Sequence, residues 1–422
     1  MKSTSRFLFP VKIAFVVCFI GSWAAAQERE GSQAASARTE QIVRYGAPTI
    51  DSQGRLIRNG AIYRAVGVNY FDAFCRTFRT PGDDTYREGF KQLAENDIPF
   101  ARFAASGTWP EDFKLYLADK EGYFRLLDSV ISAAEKYNVG LFPSLFWSNI
   151  AIPDLVGESR DQWGNPASKT RQFMRTYTRE VVSRYQKSPA IWGWEFGCEF
   201  PLALDYPDPQ KHLPRIVPGR GTPRVRTERD YLHFDMFKDA ILDFAKTVRS
   251  IDSTRMLLTG NALPRPAAYH NYKERSSTHD TLSQFGAMLL RDNPDPFSPI
   301  CIHTSPADSI HYFSDRKVDF EELLRTCVSI SHSVRKPLDL EEFSIIRRPS
   351  TAGNAVPTEE EFAAALKAID ASGVTLASIW VYDRKSDPKN VTFNNQYAYM
   401  LKMIGALNRK WLSQSQTQRA GN

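Results

Sequence analysis

The chain is poor in the signatures that would place it among metal-dependent or serine hydrolases. Its seven histidines are scattered, with no HExxH run or paired Cys/His spacing, and no GxSxG elbow occurs. No metal and no cofactor are therefore expected. Long hydrophobic runs are lacking too: Ile13 to Ile20 is too short to cross about 30 Å of hydrocarbon, which takes roughly 20 apolar residues. With Lys2, Arg6 and Lys12 ahead of it and Ala24, Ala25 and Ala26 behind, the run reads as a signal peptide cut near Ala26. The mature protein is then secreted, extracellular or periplasmic, with no membrane partner. An excess of one charge sign is also missing, since 54 Lys and Arg against 48 Asp and Glu leave +6 spread over 422 residues, which is no nucleic-acid footprint. A monomer is expected.

Cysteine is scarce. Of five, Cys18 leaves with the signal, and Cys75, Cys198, Cys301 and Cys327 allow three pairings or none. The first three are placed near C-terminal strand ends and Cys327 on a helix. One disulfide and four buried free thiols both stay open in an oxidising compartment.

What is present is an alternation of short apolar runs with amphipathic segments, the pattern of a parallel α/β fold. Turn signals at Ser52-Gln53-Gly54 and Asn59-Gly60 make the segment from Ile50 to Arg64 a β-hairpin, placed as a plug at the bottom of the fold. Strands are expected at 63–70, 100–104, 139–145, 191–197, 256–259, 299–303, 337–341 and 374–381. The helices between and after them are expected at 84–96, 121–136, 169–186, 228–250, 281–290, 320–332, 358–371 and 395–408. Thr358 and Glu361 form a capping box for the seventh. Eight strand-helix units predict an α/β fold of the (β/α)8 TIM-barrel class. A doubly wound sheet would carry a Gly-rich turn after strand one, where this chain has Asn69-Tyr70-Phe71-Asp72. The expected organisation is a signal peptide over 1–26, a disordered linker over 27–44, one barrel over 45–412 and a disordered tail over 413–422.

A barrel of this class carries its site at the C-terminal ends of the strands. The polar and aromatic residues falling there are Arg102, Trp147, Glu199, His303, Glu342 and Trp380. Two acids, two ring platforms and two donors are the parts of a sugar-cleaving site: one carboxyl protonates the leaving oxygen and the other attacks the anomeric carbon. Glu341 rivals Glu342, and strand alternation would send the two to opposite sides. Glu195 lies a turn deeper than Glu199 and reads as a buried, paired acid. Asn69, Trp109, Asp383 and Arg384 are further candidate sugar contacts, while Trp192 and Trp194 read as packing. The loop from Pro201 to Arg226 should wall the cleft, its cations suiting acidic sugars or simply lying in solvent.

Two segments carry a family resemblance. IWGWEFGCEF, Ile191 to Phe200, resembles the strand-four signature of glycoside hydrolase family 5, and KPLDLEEFS, Lys336 to Ser344, its strand-seven signature. AVGVNYF at Ala65 to Phe71, Arg102, His303, and Trp380 in SIWVYD fit the same pattern, and SLFWSN at Ser144 to Asn149 resembles its β-mannanase branch. The resemblance implies catalysis by Glu199 as acid/base and Glu342 as nucleophile, with Asn69, Arg102, Trp109, Trp147, Cys198, His303 and Trp380 binding substrate. It implies a retaining hydrolase of a β-linked polysaccharide or oligosaccharide, β-1,4-mannan first and glucan second. Two positions depart from the family pattern: Cys198 stands where Asn precedes the acid/base, and Ser305 where a Tyr follows the strand-six His. Tyr312 is the candidate replacement for that Tyr. A barrel that binds carbohydrate without cleaving it remains the alternative.

Overall fold

Why the chain closes into a ring is explained by how its strands pair. The structure, a computed structural model, describes residues 46–308, 313–346 and 356–420. The eight barrel strands are β1 (Ala65–Asn69), β2 (Phe100–Ala104), β3 (Gly140–Phe146), β4 (Gly193–Gly197), β5 (Met256–Leu258), β6 (Ile300–His303), β7 (Leu338–Phe343) and β8 (Leu376–Ile379). Pairing is parallel throughout, in the order β5-β4-β3-β2-β1-β8-β7-β6. The last strand thus returns to the first, as in a (β/α)8 barrel. The seam lies between β5 and β6, where one bridge joins Leu257 and Ser298. A side chain also bonds to both edges there: the Asn293 carboxamide oxygen accepts from the Thr259 hydroxyl at 2.8 Å and from the Cys301 N–H at 3.0 Å.

Eight helices cover the ring: α1 (Tyr86–Glu95), α2 (Lys120–Lys136), α3 (Lys169–Tyr185), α4 (Phe234–Arg249), α5 (Leu282–Asp292), α6 (Phe320–Ser333), α7 (Glu359–Ser372) and α8 (Ala398–Ala420). Side-chain caps fix several of their starts, Asp119 for α2, Ser168 for α3, Asp319 for α6, and capping boxes at Thr281 for α5 and Thr358 for α7.

Two helix boundaries differ from expectation. α4 starts at Phe234, not Glu228, because Leu204 and Leu232 pair as extended chain and the Asp205 carboxylate accepts the Phe234 N–H at 3.0 Å; residues Glu228–Asp230 form a separate 3-10 turn. α8 runs to Ala420, so residues 413–420, expected as a disordered tail, continue a helix. None of the helices among the described residues is long and apolar enough to cross a membrane.

The entry segment forms a three-stranded antiparallel sheet, Thr49–Ile50, Leu56–Arg58 and Ala61–Ile62, rather than a two-stranded hairpin. Its Leu56 is buried with Phe100, Phe142, Trp192, Met256, Leu258 and Cys301, which together close the barrel from below. Gly54 is at φ 75°, and a Cβ there would lie 2.3 Å from the Arg335 carbonyl, so glycine is what lets the plug seat against the turn after α6.

Candidate active site

A cavity of about 930 Å³ opens at the C-terminal ends of the strands, with Glu199, Glu342, Cys198, His303, Trp147 and Trp380 on its wall. Trp109 and Arg384 line it as well. Of the long loop after β4, Leu202 and Arg215 reach the wall, as expected for a flanking loop, and the Arg215 guanidinium lies 5.9 Å from the Trp109 ring centroid. Arg265 and Lys389 also line it. These two were missed because they sit in irregular segments after β5 and β8, where sequence periodicity says nothing about direction.

The floor is assembled around two cations. Arg102, on β2, is buried and gives Nε and Nη2 to the two Glu195 oxygens at 2.7 and 2.9 Å, so Glu195 is a buried acid paired with Arg102. Its Nη1 donates to Glu342 Oε1 at 2.6 Å and to Asn69 Oδ1 at 3.0 Å. The Trp147 ring lies 4.3 Å from the same guanidinium. Burial disfavours this charge, but Glu195 and Glu342 more than restore it, and the Arg102 pKa stands well above its usual value.

His303, ending β6, is the second cation. Its Nδ1 lies 3.0 Å from Glu199 Oε1 and 3.7 Å from Glu342 Oε1, and its Nε2 3.4 Å from Glu341 Oε2. Burial pulls the imidazole pKa down, yet Glu342, Glu199 and Glu341 outweigh it and push the pKa up to about 10. His303 Nδ1 thus stands between the two cavity carboxyl groups, within 3.0 Å of one and 3.7 Å of the other.

Strand alternation misleads at β7. Glu341 and Glu342 both face the interior, because the register against β6 shifts between Leu340 and Glu342, and against β8 between Leu340 and Phe343. A bulge adds one residue, turns Glu342 up into the cavity and leaves Glu341 below it, against His303. Asp339 and Glu341 are buried under the floor, and burial with the neighbouring Glu341 charge holds the Asp339 pKa well above the carboxylate range. The same burial, partly offset by Arg102, lifts Glu195 to about 7.

Glu199 owes its direction to a left-handed backbone, φ 55° and ψ 28°. Its N–H donates to the Gly260 carbonyl at 2.8 Å, and a Cβ on Gly260 would sit 1.7 Å from the Gly197 carbonyl oxygen, so that approach needs glycine. Trp147 and Trp380 lie 6.0 Å apart at 32°, each against Phe71.

Three expected sugar contacts sit elsewhere. Asn69 is buried below the floor, its amide nitrogen donating to the Glu341 carbonyl at 2.7 Å and its oxygen accepting from Arg102, so it braces the site and does not line the cavity. Arg102 likewise lies beneath the wall, behind Glu342. Asp383 is held behind the cavity by the Tyr70 hydroxyl at 2.8 Å and Arg76 at 2.7 Å. Ser305 lines the cavity and its hydroxyl accepts the Ser344 N–H at 3.2 Å; Tyr312 lies outside the described residues. The four cysteines are free thiols, and Cys301 packs in the lower layer instead of at a strand end because it is only the second residue of β6. Cys75 packs beside Phe71 and Val381, and Cys327 lies on α6.

No family model matches the chain. In sequence it is 37% identical over 79 residues to mannan endo-1,4-beta-mannosidase F of Aspergillus clavatus, covering 17% of this chain and 18% of that protein. It is 29% identical over 114 residues to mannan endo-1,4-beta-mannosidase A of Podospora anserina, covering 26% and 28%. The matched segments thus span under a third of either relative. In structure it superposes on a glycoside hydrolase family 5 mannosidase from Rhizomucor miehei with a TM-score of 0.60 at 15% identity, over 88% of this chain and 99% of that one. The endo-1,4-beta-D-mannanase of Thermotoga petrophila RKU-1 gives a TM-score of 0.57 at 12% identity, over 82% and 100%. The chain has, from end to end of the barrel, the (β/α)8 fold of the family 5 mannosidases and mannanases, and in part of its length a sequence similar to mannan endo-1,4-β-mannosidases.

Proposed function

We propose that this protein is a secreted retaining glycoside hydrolase that cuts β-1,4-linked mannan. The observation that carries the reading is the convergence of Glu199 and Glu342, from strands on different sides of the ring, on one open cavity with His303 between them. Glu199 is the more exposed of the two, as a group meeting a leaving oxygen has to be, while Glu342 is held from below by Arg102. In the first half-reaction Glu199 gives its proton to the glycosidic oxygen as that bond breaks, and a Glu342 oxygen bonds to the anomeric carbon. In the second, water loses a proton to Glu199 and displaces Glu342, restoring both groups. Trp147 and Trp380 give faces for the pyranose rings.

Mannan is preferred over glucan because the curated relatives are mannan endo-1,4-β-mannosidases and a mutant of the Rhizomucor miehei mannosidase is known in complex with mannosyl-fructose. Export after cleavage near Ala26, and action as a monomer on a soluble or particulate polysaccharide, belong to the same proposal. Cys198, 3.6 Å from Glu342 where the resembled family has an amide, favours a second reading, a barrel that binds sugar but turns it over slowly.

Reducing-sugar release from mannan, glucomannan, cellulose and chitosan separates the two. Release from mannan that drops by about a thousandfold or more in Glu342→Gln supports the hydrolase, since losing a nucleophile removes upward of ~4 kcal/mol of transition-state stabilisation. Binding of manno-oligosaccharides without any release supports the second reading.

A further inference from the structure

One residue of the cavity wall, Cys198, is not explained by sugar chemistry. Cys198, His303 and Glu342 each present one ligand-type atom, all within 4.8 Å of one another, and among the described residues no other three His, Cys, Asp or Glu side chains do so. The geometry points to a binding site for a divalent transition-metal ion of the zinc type on Cys198 Sγ, His303 Nδ1 and Glu342 Oε1. Site occupancy does not depend on the hydrolase reading; its effect on hydrolysis does.

The spacing argues first. Tetrahedral zinc, with bonds of about 2.3 Å to sulfur and about 2.0–2.1 Å to nitrogen and oxygen, holds ligand atoms roughly 3.3–3.6 Å apart. Here Sγ to Oε1 is 3.6 Å and Nδ1 to Oε1 is 3.7 Å, so two edges of the tetrahedron already stand at nearly the right length. The third, from Sγ to the imidazole, is within 4.8 Å. A surrounding shell argues second. Metal-bound imidazoles give their other N–H to a carboxylate, and His303 Nε2 faces the buried Glu341 Oε2 at 3.4 Å. The ligating carboxylate is itself oriented, by Arg102 at 2.6 Å. A water in the open cavity completes four ligands.

Ligand type argues third. Thiolate and imidazole select zinc, cobalt or copper over calcium and magnesium, which take oxygen donors. An amide at position 198, as in the resembled family, would not make such a set. The ion replaces the thiol proton and the Nδ1 proton, both released to solvent, and no oxidation state changes. Bound there, it occupies the carboxylate that attacks the sugar, so it acts as a reversible inhibitor.

The test uses the mature chain, stripped with a chelator and titrated with Co²⁺ as an optical probe. A thiolate-to-cobalt charge-transfer band in the near ultraviolet should grow to saturation at one equivalent and vanish when Zn²⁺ displaces the probe. Cys198→Asn should lose the band with its thermal melt retained, and Glu341→Gln should keep the band while weakening affinity about 10–100-fold. No band in the parent chain, or a full band in Cys198→Asn, overturns the site. If Cys198→Asn does not fold, Glu341→Gln decides: unchanged affinity there overturns it. In parallel, one equivalent of Zn²⁺ should cut mannan hydrolysis at least tenfold, with recovery on chelation. Hydrolysis unaffected by a bound ion overturns the inhibition. A chain with the cobalt band but no hydrolysis in any state leaves the metal site standing and removes the hydrolase.

Discussion

The two halves of the barrel interior make opposite use of the same inward-facing positions. Below, Phe100, Phe142, Trp192, Met256 and Leu258 pack with Leu56 of the plug into a dry layer. Two residues further along, β2 exchanges Phe100 for Arg102, and that level is filled by Arg102, Glu195, Asp339 and Glu341. The lower layer is stabilised by removing apolar surface from water, which is non-directional and tolerant of repacking. In the upper one Arg102 and Glu195 depend on each other, since an uncompensated buried charge costs several kcal/mol. The apolar end therefore supplies stability, and the polar end spends some of it to hold two carboxylates in one cavity.

The largest effect should come from merging the layers. Arg102→Met fills similar volume with apolar atoms but strands Glu195 and frees Glu342, so unfolding free energy should fall by about 3–5 kcal/mol and hydrolysis should collapse in the folded fraction. A variant as stable as the parent in urea would show that the charges of this layer are not held by pairing. Trp192→Ala tests the lower layer. The Trp192 ring packs against Phe100 and Phe142 at centroid distances of 5.7 and 6.1 Å, and its loss should cost about 3–5 kcal/mol. Because the site lies a layer above, kcat per folded molecule should change less than twofold; a larger drop would mean that the layers are coupled.

The smallest effect concerns the outside of β4. Trp194 faces outward and donates its indole N–H to Asp252 at 2.9 Å, and Arg255 pairs with the same carboxylate oxygen at 2.9 Å. Burial raises the Asp252 pKa, but these bonds and the Thr254 and Arg255 backbone N–H groups outweigh it and bring the pKa to about 2. A carboxylate depressed in the folded state contributes its stability above its unfolded pKa of about 3.9 and loses it as pH falls toward 2. Between pH 5 and 2, thermal unfolding should therefore fall by about 1–2 kcal/mol more in the parent than in Asp252→Asn. Parallel curves would dismiss this bond network as a source of acid sensitivity.

Legibility tracked the range of the forces. β2 runs from Phe100 to Ala104 as expected, and the other strands and most helices lie within a few residues of their expected bounds, because apolar periodicity and capping residues such as Thr358 act within a few residues. The chain placed Glu199, Glu342, His303, Trp147 and Trp380 at strand ends, and all five meet in the cavity. It failed at β7, where period two assigns Glu341 and Glu342 to opposite faces and a bulge turns both inward. It failed for Asn69, whose place at a strand end looks the same whether its amide meets sugar or the backbone of β7.

By itself, then, the sequence determined the alternation of strands and helices, the buried apolar layer, and which residue types stand at the strand ends, since each depends on near neighbours in the chain. Only the tertiary structure decided which acid pairs with Arg102, that His303 spans Glu199, Glu341 and Glu342, and that a thiol, an imidazole and a carboxylate at the ends of three strands lie within 4.8 Å of one another. Those relations are distances across the ring between residues up to 240 positions apart, set by register, bulge and closure, and no local pattern encodes them.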